Sequence, residues 1–187
     1  MLNDYKNNYI TNLHDKKKLI TLVGMMGTGK SKFGYLVSKS LKCCFYDTDN
    51  LIEKELNTSI KNIFKSYGET FFRNIEKEKI KTIINNIYQS KEQAILSVGG
   101  GAFDDNDSRN LLLKFTQVIW LNTPVETLVK RIGDGHKRPM IKGNVVDSIN
   151  KILEKRIKYY SLSHYKINTE KFSQEQITQK IKDIILK

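Results

Sequence analysis

The amino-acid sequence predicts an α/β protein of three layers, with helices on both sides of a central parallel sheet of about five strands. Three observations carry this expectation. Strand-like and helix-like segments alternate along nearly the whole chain, the pattern of β-strands joined by helical crossovers. A glycine-rich turn, GMMGTGKS, links the first strand directly to the first helix. The second strand stops at two acids, Asp47 and Asp49, and strand carboxyl ends are where such sheets bind ligands.

The elements follow in order. Residues 18–24, KLITLVG, form an apolar run of buried-strand type, and a helix follows from Lys30 to about Lys42. CCFYD (43–47) is the second strand. Helical periodicity then runs from Asn50 to Tyr88, broken near Thr58 and near Gly68. QAILSVGGG (93–101) is the third strand, leading to a helix from about Asp107 to Lys114. QVIWLN (117–122) is the fourth, passing through Pro124 into a helix that ends near Ile132. A polar, glycine-containing segment, 133–144, precedes a helix from Val145 to about Tyr160, a short strand around HYKIN and a final amphipathic helix.

Length and composition narrow the class. A chain of 187 residues suits one well-filled domain, expected over 18–187, behind a polar extension at 1–17. That extension has no apolar core of a secretion signal, and no run reaches transmembrane length, so a cytoplasmic protein that touches no membrane is expected. The net charge of +12 comes from lysines spread through the chain and mixed with acids. With no arginine-rich block or zinc-finger spacing, it indicates attraction of anionic substrates and no nucleic-acid partner. Cys43 and Cys44 are strand neighbours that point to opposite faces, which excludes an ordinary disulfide between them. They read as small buried residues in a reducing compartment. Nothing in the sequence demands more than a monomer.

The turn after the first strand fits G-x-x-x-x-G-K-[ST] at Gly24, Gly29, Lys30 and Ser31, in the strand–turn–helix context the motif requires. Glycines let backbone N–H groups face phosphate oxygens, and the helix N-terminus adds positive potential. Lys30 is placed to reach the β- and γ-phosphates and Ser31 to bind Mg²⁺. The chain is therefore read as binding a nucleoside triphosphate.

Two arginines stand out on helical projection at about 100° per residue. Val145, Val146, Ile149, Ile152, Leu153, Ile157 and Tyr160 share one face of their helix, with Arg156 in its middle. Arg73 and Glu76 lie on the stripe of Ile80, Ile83, Ile84 and Ile87, three residues apart and able to touch. A guanidinium on an apolar face needs an anion, either within the protein or in a cleft. Planar, bidentate arginines suit a carboxylate, so a small carboxylic acid is expected as the second substrate.

At this point the sequence resembles the shikimate kinase family, over about residues 19–168. The carriers are GMMGTGKS, DTDNLIE against D-[ST]-D-x-x-I-E, GETFFRNIE against G-E-x-x-F-R-x-x-E, the triple glycine of SVGGGA, and KRPM against the R-P-L-L of a mobile lid. The resemblance implies a P-loop kinase fold with that lid at about 131–144. It implies transfer of the γ-phosphoryl group of ATP to the 3-hydroxyl of shikimate, with Mg²⁺, in aromatic amino acid biosynthesis.

By motif, the resemblance also assigns roles. Asp49 is the catalytic base that contacts the shikimate hydroxyls, and Lys30 and Arg138 act on the phosphates. Gly27, Thr28, Gly29, Lys30, Ser31, Lys32, Arg131 and Arg138 bind nucleotide, with Arg131 packed on adenine. Arg73 and Arg156 grip the shikimate carboxylate, Gly99, Gly100 and Gly101 line that site, and Phe64 and Phe72 wall the ring. Ser31 and Asp47 hold the metal, Asp47 through water. Two places depart from the pattern: Arg156 is followed by Ile157-Lys158-Tyr159-Tyr160 where the family often has R-x-P-L-Y, and the lid reads Arg138-Pro139-Met140-Ile141. A kinase for a nucleoside monophosphate or gluconate-like sugar acid would share the P-loop and lid, and a nucleotide-binding regulator would share the P-loop. The ordered D-T-D, F-R-x-x-E and triple glycine argue against the first. The retained Lys30, Ser31, Asp47, Asp49 and Arg138 argue against the second.

Overall fold

Long apolar runs at the sequence level become strands that are covered on both sides. The computed structural model describes residues 18–90, 92–135, 138–141 and 143–186, so the expected N-terminal extension at 1–17 lies outside the described residues. Five strands form one sheet in the order β2-β3-β1-β4-β5: β1 Leu19–Val23, β2 Cys44–Asp47, β3 Ala94–Ser97, β4 Gln117–Asn122 and β5 Tyr165–Asn168. All four pairings are parallel, with Thr21 opposite both Leu96 and Val118. β1 and β3 are buried at every position, as expected for parallel strands with helices on both faces.

Seven α-helical runs lie between and after the strands among the described residues: α1 Lys30–Leu41, α2 Thr48–Leu56, α3 Ile60–Ser90, α4 Asn106–Phe115, α5 Val125–Ile132, α6 Val145–Tyr160 and α7 Gln174–Leu186. The two-residue alternation of β1 divides the core. Ile20 and Leu22 pack with Phe33 and Val37 of α1 and Ile177, Ile181 and Ile185 of α7. Leu19 and Val23 pack on the opposite face with Ile80, Ile84 and Ile87 of α3, Leu112 of α4 and Ile149 of α6. A third, smaller cluster of Ile52, Ile63 and Phe72 joins α2 to the first half of α3.

This topology positions the site. β1 and β3 are neighbours, yet the helix after β1 goes to one face and the helix after β3 to the other. Their connecting loops diverge, and a crevice opens between them at the carboxyl edge of the sheet.

Three local features refine the sequence reading. The break near Thr58 is a left-handed Asn57 (φ 47°) that ends α2, and the expected break near Gly68 is a kink at which two helices of the α3 run meet. Gly68 has φ 80° and ψ 173°, a conformation essentially confined to glycine. On α6, Ile149, Arg156 and Tyr160 are buried as projected, but Val146 and Ile157 are 43% and 48% exposed. They sit about 80° and 100° around the helix from Arg156, while the packed residues lie within about 60° of it. The apolar stripe is therefore narrower than expected and more tightly centred on the arginine. Cys44 packs on one face and Cys43 on the other, as alternation requires. Both are only half-buried, contrary to the expected full burial, because β2 is an edge strand.

Candidate active site

Asp47 ends β2 and caps α2, its Oδ1 accepting a hydrogen bond of 3.1 Å from the Asn50 N–H. A carboxylate there satisfies an open helix N–H and sits favourably in the helix dipole. Asp49 follows in the first turn of α2. Between them, the buried Thr48 accepts a 3.1 Å hydrogen bond at Oγ1 from the Gly99 N–H. The strand thus passes directly into a helix, and the start of that helix delivers both acids into the crevice.

Burial pushes the Asp49 carboxyl pKa above its ordinary value, and the neighbouring Asp47 charge adds to the shift. Lys30, Arg73 and Arg138 oppose it. A carboxylate with a raised pKa is a better proton acceptor than an exposed one.

The P-loop lies across the crevice. Gly24, Gly27 and Gly29 adopt positive φ, and the Thr28 hydroxyl donates 2.9 Å to the Met25 carbonyl. Lys30 is buried and its Nζ donates to the carbonyls of Gly24 (2.8 Å) and Met25 (3.0 Å). Its pKa is lowered to about 8, chiefly by burial, against the attraction of Asp49 and Asp47; Arg138 and Arg156 lower it further. Arg131 donates 3.1 Å to the Gly27 carbonyl. Lys32 is exposed on α1, away from the residues that line the crevice.

The kink at Gly68 brings the second half of α3 to the crevice. Phe72 is buried against Phe64, ring centroids 5.0 Å apart. Arg73 is held from both sides, by Glu76 at 2.5 Å on Nη1 and by Glu69 at 3.2 Å on Nη2. Burial works against the Arg73 charge, but Glu76 and Glu69 outweigh it and raise its pKa. Glu76 is only 1% exposed. Its burial, aided by Asp49 and opposed by Arg73, raises its pKa to about 7. Arg156 enters from α6 at 3% exposure, its Nε donating 2.7 Å to Asp104 Oδ2.

Two positions of the triple glycine, Gly99 and Gly101, are crowded by close approach. A side chain at Gly99 would run into Glu76 Oε1 and Asp49 Oδ1, and one at Gly101 into the guanidinium tips of Arg73 and Arg156. Tyr160, stacked near Phe103 and Trp120, donates 2.5 Å to the Gly100 carbonyl and fixes the same loop.

These groups line one cleft of about 530 Å³, which brings together Ser31, Asp47, Asp49, Phe64, Phe72, Arg73, Gly99, Gly100, Gly101, Arg138 and Arg156. At one end are the start of α1, Ser31 and Arg138; at the other, two guanidinium groups, a glycine floor and an aromatic wall. The arrangement suits a phosphate donor meeting a small, ring-shaped carboxylic acid.

The comparisons with known proteins agree with that chemistry. The family model for shikimate kinase matches residues 26–186. The chain belongs to the shikimate kinase family. Among its relatives, the shikimate kinase of Persephonella marina is 38% identical over 162 residues, covering 87% of this chain and 95% of the relative. That of Sulfurihydrogenibium sp. is 35% identical over 164 residues, covering 88% and 95%. Among solved structures, a shikimate kinase from Acinetobacter baumannii in complex with shikimate superposes with a TM-score of 0.83 at 30% identity, covering 93% of this chain and 96% of that one. Membership of this family makes the chain an ATP-dependent kinase.

Sequence reasoning missed four residues that shape the family site here. Glu69 shares Arg73 with Glu76, Thr48 ties β2 to the triple glycine, Tyr160 anchors that loop, and Asp104 binds Arg156. Glu69, four residues before Arg73 on a helix, was open to the same spacing argument that found Glu76. Asp104 offered no comparable signal, because its partner lies 52 residues away.

Proposed function

We propose that this chain transfers the γ-phosphoryl group of ATP to the 3-hydroxyl of shikimate. The observation that carries this reading is the convergence of Arg73 and Arg156 on Gly100 and Gly101 in the same cleft as Asp49 and Ser31. The two arginines bind the substrate carboxylate and, with Phe64 and Phe72 against the ring, orient one hydroxyl toward the phosphorus. Asp49 accepts the proton as the hydroxyl oxygen forms its bond to phosphorus and the bond to ADP breaks. Lys30 and Arg138 balance charge on the phosphoryl group, and Arg131 and residues 27–32 hold the nucleotide.

Ser31 and Asp47 offer oxygen donors on the nucleotide side of the cleft. This hard, sparse set suits Mg²⁺, which keeps several waters and takes further ligands from phosphates. Bound there, the metal neutralises phosphate charge. The segment 131–144 acts as the lid: Gly133, Gly135 and Gly143 have positive φ, and Arg138, Pro139 and Met140 already line the cleft. His136, Lys137 and Lys142 of that segment lie outside the described residues. We place the activity in the monomer. No helix among the described residues is long and apolar enough to cross a membrane, and we place the reaction in the cytoplasm.

A coupled assay of ADP release tests the reading across shikimate, nucleoside monophosphates and gluconate-like sugar acids. Turnover is expected with shikimate alone; turnover on another member of the panel, or ATP consumption indifferent to shikimate, overturns it.

A further inference from the structure

The two carboxylate-binding arginines are held differently. Arg73 spends Nη1 on Glu76 and both Nε and Nη2 on Glu69. Arg156 spends Nε on Asp104 Oδ2 at 2.7 Å. Its terminal nitrogens lie over the triple glycine: a Cβ on Gly100 would be 3.4 Å from Nη1, and one on Gly101 2.7 Å from Nη2. A guanidinium can meet a carboxylate through its side edge, Nε with one Nη, or through its end, Nη1 with Nη2. With Nε occupied, only the end of Arg156 faces the cleft.

Asp104 is itself held in place. Its N–H donates 3.0 Å to the Gly101 carbonyl. The buried Arg109 clasps the carbonyls of Phe103 and Asp104, each at 3.0 Å, and the Asn106 side chain at 2.7 Å. The Arg109 guanidinium lies over the ring of Tyr159, 4.4 Å from its centroid, on the same helix as Arg156. The loop is thus fastened to α6 beside the arginine it orients. Burial raises the Asp104 pKa, while Arg156 and Arg73 oppose that shift and favour the carboxylate.

We propose that Asp104 is a positioning residue for Arg156, fixing its guanidinium so that the substrate carboxylate is taken end-on by Nη1 and Nη2. This rests on the reading of the cleft as a shikimate site. Without Asp104 the Nε anchor is lost, and only packing and the Tyr160 hydroxyl, which also interacts with Arg156, hold the group. It gains freedom about its last side-chain torsions, and binding must supply more of the ordering. The loss falls on shikimate binding, before chemistry begins.

The test is steady-state kinetics of wild type, D104A and D104N, with shikimate and ATP varied in turn. D104A is expected to raise the KM for shikimate about tenfold, with kcat and the KM for ATP changed by about twofold or less. D104N keeps an oxygen acceptor for Nε and is expected to recover most of the loss. In the R156K background, which has no Nε donor of this kind, D104A should add about twofold or less. Wild type that turns over shikimate, with D104A at an unchanged KM, overturns the assignment and leaves the activity standing. A D104A loss confined to kcat and thermal stability, or one fully additive with R156K, also overturns it. A wild type that neither phosphorylates nor binds shikimate overturns the parent reading and this assignment with it.

Discussion

Raising the pH through 8 should weaken nucleotide binding, because the cation proposed to meet the phosphates is lost from the free protein. Lys30 has its pKa lowered from 10.5 to about 8, with burial as the main cause. On this basis about three-quarters of free Lys30 is charged at pH 7.5 and about one-tenth at pH 9. A bound polyphosphate sets several negative charges beside Nζ and raises its pKa again. Between the two pKa values, binding takes up a proton. Affinity therefore falls about eightfold between pH 7.5 and 9. Stability of the free protein has the opposite slope. The unfolded chain binds more protons here than the folded one between about pH 8 and 10.5, so the Lys30 contribution to stability rises with pH in that window. The assay is titration calorimetry with ADP and Mg²⁺ in buffers of different ionisation enthalpy, which reads affinity and proton uptake together. About half a proton should be taken up at pH 8, and Lys30→Met should abolish that uptake along with much of the affinity. Wild-type affinity that is flat from pH 7.5 to 9, with no proton uptake, refutes the reasoning.

Two further predictions concern the substrate end of the cleft. Gly101→Ala places a methyl group against the tips of Arg73 and Arg156, so the KM for shikimate should rise about tenfold or more while ADP affinity holds; an unchanged KM would show that the arginines are not seated on this loop. Glu76 has its pKa raised from 4.5 to about 7. Its contribution to stability is full below about pH 4.5 and is lost as pH rises through about 7. Relative to Glu76→Gln, wild type should therefore lose up to ~3 kcal/mol between pH 5 and 8 in denaturant titrations, and a pH-independent difference would contradict the assigned burial.

Much of this architecture is legible in the sequence because the signals are local. The buried run LITLV, the GTGKS turn and the helical spacing of Arg73 to Glu76 each lie within a few residues and follow from period and backbone geometry. Arg156 was legible for the same reason, as a cation in the middle of an apolar stripe. The width of that stripe was not, because exposure of Val146 and Ile157 depends on what covers the margins of α6, which the period of α6 alone does not state. The break at Gly68 was legible as well, since a glycine inside a helical pattern signals departure from helical φ and ψ. Asp104 and Tyr160 were illegible in a stricter sense. Each acts through a partner 52 or 60 residues away, and only the fold creates that neighbourhood. The five ordered motifs nevertheless pointed to the family before any of these contacts could be drawn.

The central claim is that the two acids closing β2 have separate roles, Asp47 toward the metal and Asp49 toward the hydroxyl that receives phosphate. The direct test is single-turnover phosphoryl transfer by Asp49→Asn, saturated with ATP, Mg²⁺ and shikimate. Removing a general base costs about 10²–10⁴ in rate, so transfer should fall by that factor while ADP affinity stays within about threefold of wild type. Transfer by Asp49→Asn within about tenfold of the wild-type rate would contradict the account.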